Sequence, residues 1–546
     1  MKFILLWLLF LAAYLLFAAS VYAVYGRTQK RVLRWLLELI VGLPLALPFF
    51  LFVLHLGWYY FFSSYIEPRW LPGYTGFLSV TILVGYLLIK RRGRKKEGEV
   101  EAWSRWPLGR LWAAFGIVLG LFIAALSAVD SDVRAQIAAV QSKTDALAMT
   151  VMPAPVSDSR NAALVYEKAY KALGSYGKLP KWLGKDSQKP WFDPKNPEAV
   201  ELLEKNRKAL ALAKQGAAMQ DYYLPIKFRF DYPIPMYSNP QNVARLLALD
   251  ARAKAADGEI DASMENIVAM HRIAEHISRT PNLIAVMVAS DMESKATATL
   301  ENVLAQTASA PLNIASLRVE NSGYLRKAFR RSLVGEDVSH ITNIIEIYSG
   351  MGRENSDAGS VWFRGALYRI FFAPYDIDFH TRYWREFGDF ASKPFYETRE
   401  RYKELSEFVE ENPGSVYYSL MAAFGGINYS HYGIKFAEAE AGLALSNLAL
   451  AATAYRAGHG GYPATLDDLA PDYIKEIPTD PFDGKPIKMA VVEGGVVLYS
   501  VGKDEKDDGG AELDSAKEKG DITFVLGLEY AERRRAGIAG VKVIIG

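Results

Sequence analysis

The chain has 546 residues, 51% hydrophobic and 23% charged, with 63 Lys/Arg against 61 Asp/Glu and no cysteine. Such a length exceeds one hydrophobic core and predicts several domains. Without cysteine there are no disulfides, thiolate metal sites or cysteine nucleophiles, which suits an oxidising compartment.

Charge is unevenly distributed. Residues 1–128 carry 14 Lys/Arg and 5 Asp/Glu, and the remainder is mildly acidic. An acidic remainder argues against nucleic acid as a partner, because phosphate binding needs concentrated Lys/Arg. Four apolar runs, at 3–25, 36–62, 74–89 and 108–128, are each near the ~20 residues that cross a hydrocarbon core. The first outruns a signal-peptide core and is followed at once by others, so it reads as a retained helix. The loops bearing Arg27, Lys30, Arg31 and Arg34, and Lys90 to Lys96, are basic, which assigns them to the cytoplasmic side.

Together these features predict a membrane α-helical domain over 1–129, with four transmembrane helices and the lipid bilayer as partner. The N-terminus then lies outside, and residues 130–546 are extracytoplasmic, on the inner (cytoplasmic) membrane. His55 and Glu38 fall in the second run. An intramembrane ionisable group is a functional hypothesis, so a transporter or sensor is one reading of this domain.

Residues 130–160 read as a stalk or linker, ended by Pro153 and Pro155. An α-helical body is predicted over 161–430. Ala162, Val165, Tyr166, Ala169 and Leu173 recur at helical spacing, and 201–218 forms another candidate helix. Val243 to Ala256, a turn at Asp257-Gly258-Glu259 and Ile260 to Ser278 form a helical hairpin, with small Ala251, Ala255 and Ala262 where the helices cross. This unit resembles a tetratricopeptide-type hairpin; an irregular helical bundle is the alternative. Within 341–410 aromatic residues crowd together, among them Trp362, Phe371, Phe387, Phe395 and Tyr396, with Arg364, Arg369, Arg382 and Arg385 between them. Core packing, a binding surface and a membrane interface all fit that composition.

The last region, 431–546, predicts a helix from Ile434 to Arg456, Gly460-Gly461-Tyr462-Pro463, and a short helix capped at Thr465. Pro478-Thr479-Asp480-Pro481-Phe482-Asp483-Gly484-Lys485-Pro486 follows, then a hairpin of Met489–Val492 and Val496–Val501 about Glu493-Gly494-Gly495. An Asp/Gly-rich loop closes at a last strand, Ile522–Leu526. This order resembles the globular head of type II secretion pseudopilins, above all the major one, over about residues 434–526. The resemblance implies a small C-terminal α+β pseudopilin-like domain. It also implies calcium bound by the loop after the strand, at the matching positions Asp504, Asp507, Asp508, Asp514 and Asp521. Calcium takes six to eight oxygens at about 2.3–2.6 Å, a donor set that carboxylates and loop carbonyls near Gly509-Gly510 suit. Lys503, Lys506, Lys517 and Lys519 partly neutralise the loop, and a solvated polar turn is the alternative. The family departs from this chain at its start: a pseudopilin has a basic leader and one apolar helix running into its head.

The sequence shows no phosphate-binding loop, no GxSxG elbow and no HExxH. His271 and His276, five residues apart, point about 140° apart around a helix and would not chelate one metal. No catalytic residue is assigned. The expected protein is an envelope component presenting a helical body and a pseudopilin-like head to protein partners, in secretion or surface assembly. An extracytoplasmic enzyme or processing factor with its site between body and head is the alternative.

Overall fold

A computed structural model describes residues 108–173, 179–184, 187, 192–228, 237–305, 323–349, 387–388, 393–411, 429–511 and 520–527, with scattered positions between 9 and 27. The fold is mostly helical, with one small antiparallel sheet. The helices are α1 (Leu108–Val151), α2 (Ala162–Ala172), α3 (Pro197–Ala217), α4 (Ser238–Ala256), α5 (Ile260–Ser278) and α6 (Leu283–Leu304). After them come α7 (Tyr324–Ser349), α8 (Phe395–Glu411) and α9 (Tyr429–His459). Strands β1 (Lys488–Val492), β2 (Gly495–Ser500) and β3 (Ile522–Leu526) follow and pair in that order.

The expectation of four membrane helices is corrected here. Among the described residues, no helix is long and apolar enough to cross a membrane. The runs at 36–62 and 74–89, with Glu38 and His55, lie outside the described residues, and 3–25 is described only in part. The run at 108–128 is the first half of α1, a 44-residue helix that continues to Val151. It carries Arg110 near its start and passes through Asp132, Gln136, Lys143 and Asp145. An apolar run counted by itself thus differs from the mixed helix that contains it. Trp112, Ile117, Leu121 and Ile123 are exposed along its first half.

Two compact units divide the chain. The first comprises Met1–Ser142, Ile344–Thr381 and Val409–Ile427; the second comprises Lys143–Asn343, Arg382–Phe408 and Asn428–Gly546. In the first, Phe17 packs on Phe115 with ring centroids 5.6 Å apart, and Trp112 meets Phe115 edge-on.

In the second, helices consecutive in the chain pack on one another from α2 to α6, and α9 packs against α6. Helix ends follow capping chemistry: Asn161, Asn196 and Asn282 accept N–H groups from the first turns of α2, α3 and α6. Between α4 and α5 the turn is made by Gly258 at φ +80°. Alanines sit at the crossings (Ala244, Ala251, Ala274, Ala289 and Ala296 are fully buried), so the backbones approach closely. One continuous core runs from Tyr166 on α2 through α9 to Leu498 and Phe524 of the sheet.

Helix α7 straps the α5–α6 corner. Arg331 donates to the Arg279 carbonyl at the C-terminal end of α5, at 3.1 Å. Glu336 accepts the Leu283 N–H at the start of α6, at 2.9 Å. Between these contacts Gly335 lies so close to the corner that a Cβ would stand 1.9 Å from the Pro281 oxygen. From the aromatic-rich stretch, Phe387 is described and buried. Phe387, Tyr402, Phe395 and Phe482 follow one another with centroids 5.6–6.0 Å apart, and Phe329 of α7 meets Phe436 of α9 at 4.3 Å. For these described rings the stretch is core packing.

The sheet has one edge closed by a side chain. Glu301 of α6 accepts the Val525 N–H of β3 at 2.9 Å. A carboxylate thereby stands where another strand's carbonyl would pair.

Candidate functional site

The terminal segment is built around its sheet. Side chains alternate between faces, and the register pairs Val496 with Leu526 and Leu498 with Phe524. These four face α9 and join the main core. Val497 and Val525 are paired on the other face, where they cluster with Val492. The described part of the Asp/Gly-rich loop meets that second face at Gly510, where a Cβ would lie 3.2 Å from Val497 and 3.3 Å from Tyr499. A two-residue turn, Glu493-Gly494, joins β1 to β2, with Gly494 at φ +82°.

Asp480 holds the Pro-Phe-Asp-Gly turn to the sheet. It is fully buried. Its carboxylate accepts N–H groups from Phe482 and Val501 and the Ser500 hydroxyl, each at 2.9 Å. Burial raises its pKa, and the hydrogen bonds to Phe482, Val501 and Ser500 oppose that rise. Gly484 closes the turn at φ +75°, with the Tyr396 ring against it.

In the loop, three of the expected metal ligands, Asp504, Asp507 and Asp521, turn toward backbone donors. Asp504 accepts from Lys506 N at 3.3 Å and Gly520 N at 3.5 Å. Asp507 accepts from Gly509 N at 3.1 Å and also hydrogen-bonds Tyr499. Asp521 is fully buried and accepts from Gly510 N at 2.7 Å and Asp508 N at 3.4 Å. Asp507 and Asp508 are exposed, and Asp514 lies outside the described residues. Burial pushes Asp521 up to about 6; the Gly510 and Asp508 N–H groups pull it down, and the Asp508 and Asp507 carboxylates add to the rise. The structure thus brings Asp507, Asp508 and Asp521 into one electrostatic neighbourhood. Among the described residues, no group of three His, Asp or Glu side chains is placed to hold a metal ion. The donor type nevertheless fits calcium, a hard cation taking carboxylate and carbonyl oxygens.

His271 and His276 are both buried. His271 Nδ1 meets one oxygen of buried Glu293, and the Tyr324 hydroxyl donates to the other. Beside His271 lies a cavity of about 10 Å³ lined by Ile267, Leu300, Ser446, Asn447 and Leu450. This is room for one water molecule rather than a substrate. His276 hydrogen-bonds the Tyr166 hydroxyl at 2.8 Å and stacks on Tyr222. Burial, then Arg279 and Arg272, push its pKa down to about 4. It is therefore neutral near pH 7, and because the ring also hydrogen-bonds the Met219 backbone as a donor, Tyr166 donates to Nδ1. Sequence reasoning missed the Glu293 and Tyr324 partners, and no local signal marks them, since they lie 22 and 31 residues from the groups they meet.

No protein-family model, curated protein or solved structure matches the chain. Its class is defined by its own architecture, a stack of helices sharing a core with a terminal helix and a three-stranded antiparallel sheet.

Proposed function

We propose that this chain is a non-catalytic assembly protein, with its terminal α+β segment as the module that contacts protein partners. The observation carrying this reading is the described part of the Asp/Gly-rich loop, residues 502–511, whose Gly510 lies against the outer face of a sheet whose other face is fixed to the helical body. A loop on a rigid scaffold is where binding function concentrates. The order of helix, Asp-anchored turn, antiparallel meander and acidic loop is also what supports the likeness to a pseudopilin head, and with it a role in secretion or surface assembly. The described His271–Glu293–Tyr324 and His276–Tyr166 groups serve the core, which favours assembly over an enzymatic site between body and terminal segment.

Calcium is the cofactor we propose for the loop. It would draw on Asp507, Asp508 and Asp521, the last held up to about 6 by burial and then by the Asp508 and Asp507 carboxylates, with Asp504 and Asp514 as further donors. Cross-linking mass spectrometry of the full chain in its native cells tests the function. Partner cross-links should concentrate on residues 429–526. Cross-links to partners confined to the helical body would overturn the assignment, and recovery of no secretion or pilus component would remove the secretion role.

A further inference from the structure

The sheet leaves its β1 edge unguarded. Val492 and Gly495 flank the two-residue turn and so form a hydrogen-bonded pair, and bonded pairs alternate from there to Ala490 with Val497 and Lys488 with Tyr499. The residues between, Met489 and Val491, therefore turn their N–H and C=O groups away from β2. Carried across to β3, the same alternation points Val525 outward, which is where Glu301 takes its N–H. Nothing like Glu301 stands at β1: among the described residues, Met489 and Val491 make no hydrogen bond on their outward side. Val491 is 46% exposed, and Met489 and Ala490 are partly exposed. Such a row of free donors and acceptors is a template for another strand.

This edge is complementary to itself. An antiparallel two-fold axis through Ala490 sets Met489 of one copy opposite Val491 of the other, and every outward N–H then meets an outward C=O. Ala490 faces its own copy in the closer, unbonded kind of pair, where a small side chain fits. The exposed Val491 side chain is covered by Met489 of the other copy. Charge agrees with that direction, since Lys488 and Glu493 stand at opposite ends of β1. Antiparallel pairing brings the Lys488 end of each strand to the Glu493 end of the other, while Lys488 keeps Asp483 at 3.1 Å. We propose that β1 is a self-association edge, to which a second copy of this chain adds its own β1, joining the two sheets into one. A single strand pair is a small interface, so the dimer is weak and depends on concentration.

The chain has no cysteine, so one introduced thiol reports the register. In the full chain, Ala490→Cys should give a disulfide-linked dimer under mild oxidation, because facing residues of an unbonded antiparallel pair lie about 4.5 Å apart at Cα, within disulfide reach. Lys488→Cys, offset from its copy by about 13 Å along the strand, should cross-link about tenfold more slowly or not at all. Sedimentation of wild type should show reversible dimers as concentration rises. Val491→Pro removes an outward N–H and spares the β2 ladder. By symmetry it deletes two bonds between the copies, so dimerisation should weaken by about tenfold or more. Circular dichroism should first establish that the variants are folded. Wild-type hydrogen exchange at Met489 and Val491, which should slow as concentration rises, needs no variant. A wild type that stays monomeric at every concentration would overturn the proposal. So would equal cross-linking at 490 and 488, undiminished dimerisation of folded Val491→Pro, or protection of Met489 and Val491 independent of concentration, the sign of another stretch of the same chain on this edge.

Discussion

Asp480 is where a single substitution should cost the terminal segment most. Its two oxygens satisfy three donors (Phe482 N, Val501 N and the Ser500 hydroxyl), all at 2.9 Å, from a side chain with no exposed surface. A buried donor left without its acceptor costs about 1–3 kcal/mol. Asp480→Ala strands all three, a loss of roughly 3–9 kcal/mol before relaxation. Removing a carboxylate whose pKa burial has raised returns part of that cost, so a net loss of about 3–6 kcal/mol is expected.

Asp480→Asn can keep both bonds made by Oδ1 but turns an N–H toward Val501, and should lose about 2–3 kcal/mol. A chain of this size need not unfold in one step. The assay is therefore native-state hydrogen exchange on peptides covering 478–502, supported by urea unfolding. Both variants should show faster exchange at Phe482 and Val501. If Asp480→Ala leaves protection there within about 0.5 kcal/mol of wild type, a scale usual for uncoupled surface changes, the anchoring role is refuted.

Further outcomes follow from other contacts. Gly335→Ala should destabilise the helical body by about 2–3 kcal/mol or more, because the new Cβ meets the Pro281 oxygen at 1.9 Å; an unchanged urea midpoint would contradict this. His276 and His340 are both pushed down to about 4 by burial. Their stabilising contribution is present above the ordinary histidine pKa near 6.5 and is lost as pH falls from there through 4. Each should cost about 2 kcal/mol at pH 5, and His276→Asn should remove its share of that slope in urea titrations.

Asp521 acts in the opposite sense, its pKa being raised to about 6. Its contribution is full below the ordinary carboxylate range and is lost as pH rises through 6. Protection of the loop backbone should fall over that interval, whereas Asp521→Asn should be flat. Calcium at pH 7 should restore protection in wild type; if calorimetry gives no calcium heat and the loop exchanges as before, the cofactor assignment fails.

Local chemistry was legible in the sequence wherever a few adjacent residues decide the backbone. Asp257-Gly258-Glu259 marked the α4–α5 turn, Glu493-Gly494 the hairpin and Thr465 a helix start, where its N–H meets Asp468 at 2.7 Å. Contacts between distant residues left no such trace. Arg326 of α7 and Glu440 of α9 pair across 114 positions, and Ser446 of α9 reaches Thr297 of α6 across 149. The terminal segment accordingly shares the core of the helical body, although its sequence reads as a module of its own. Apolar runs near the N-terminus misled for a related reason: composition says how oily a stretch is, and nothing of the longer, charged helix into which 108–128 is built. Among the candidate ligands, the cluster of aspartates was visible. That the oxygens of Asp504, Asp507 and Asp521 face loop N–H groups was not, because it depends on how Gly502, Gly509 and Gly510 turn the chain.

Glu301 also sets a limit on stoichiometry. With the Val525 N–H already taken by its carboxylate, the sheet has one blocked side and one side at β1. Among the described residues a strand added at β3 would have to displace that carboxylate, so pairing on the β3 side is disfavoured at Val525 and propagation through both edges of the sheet is opposed.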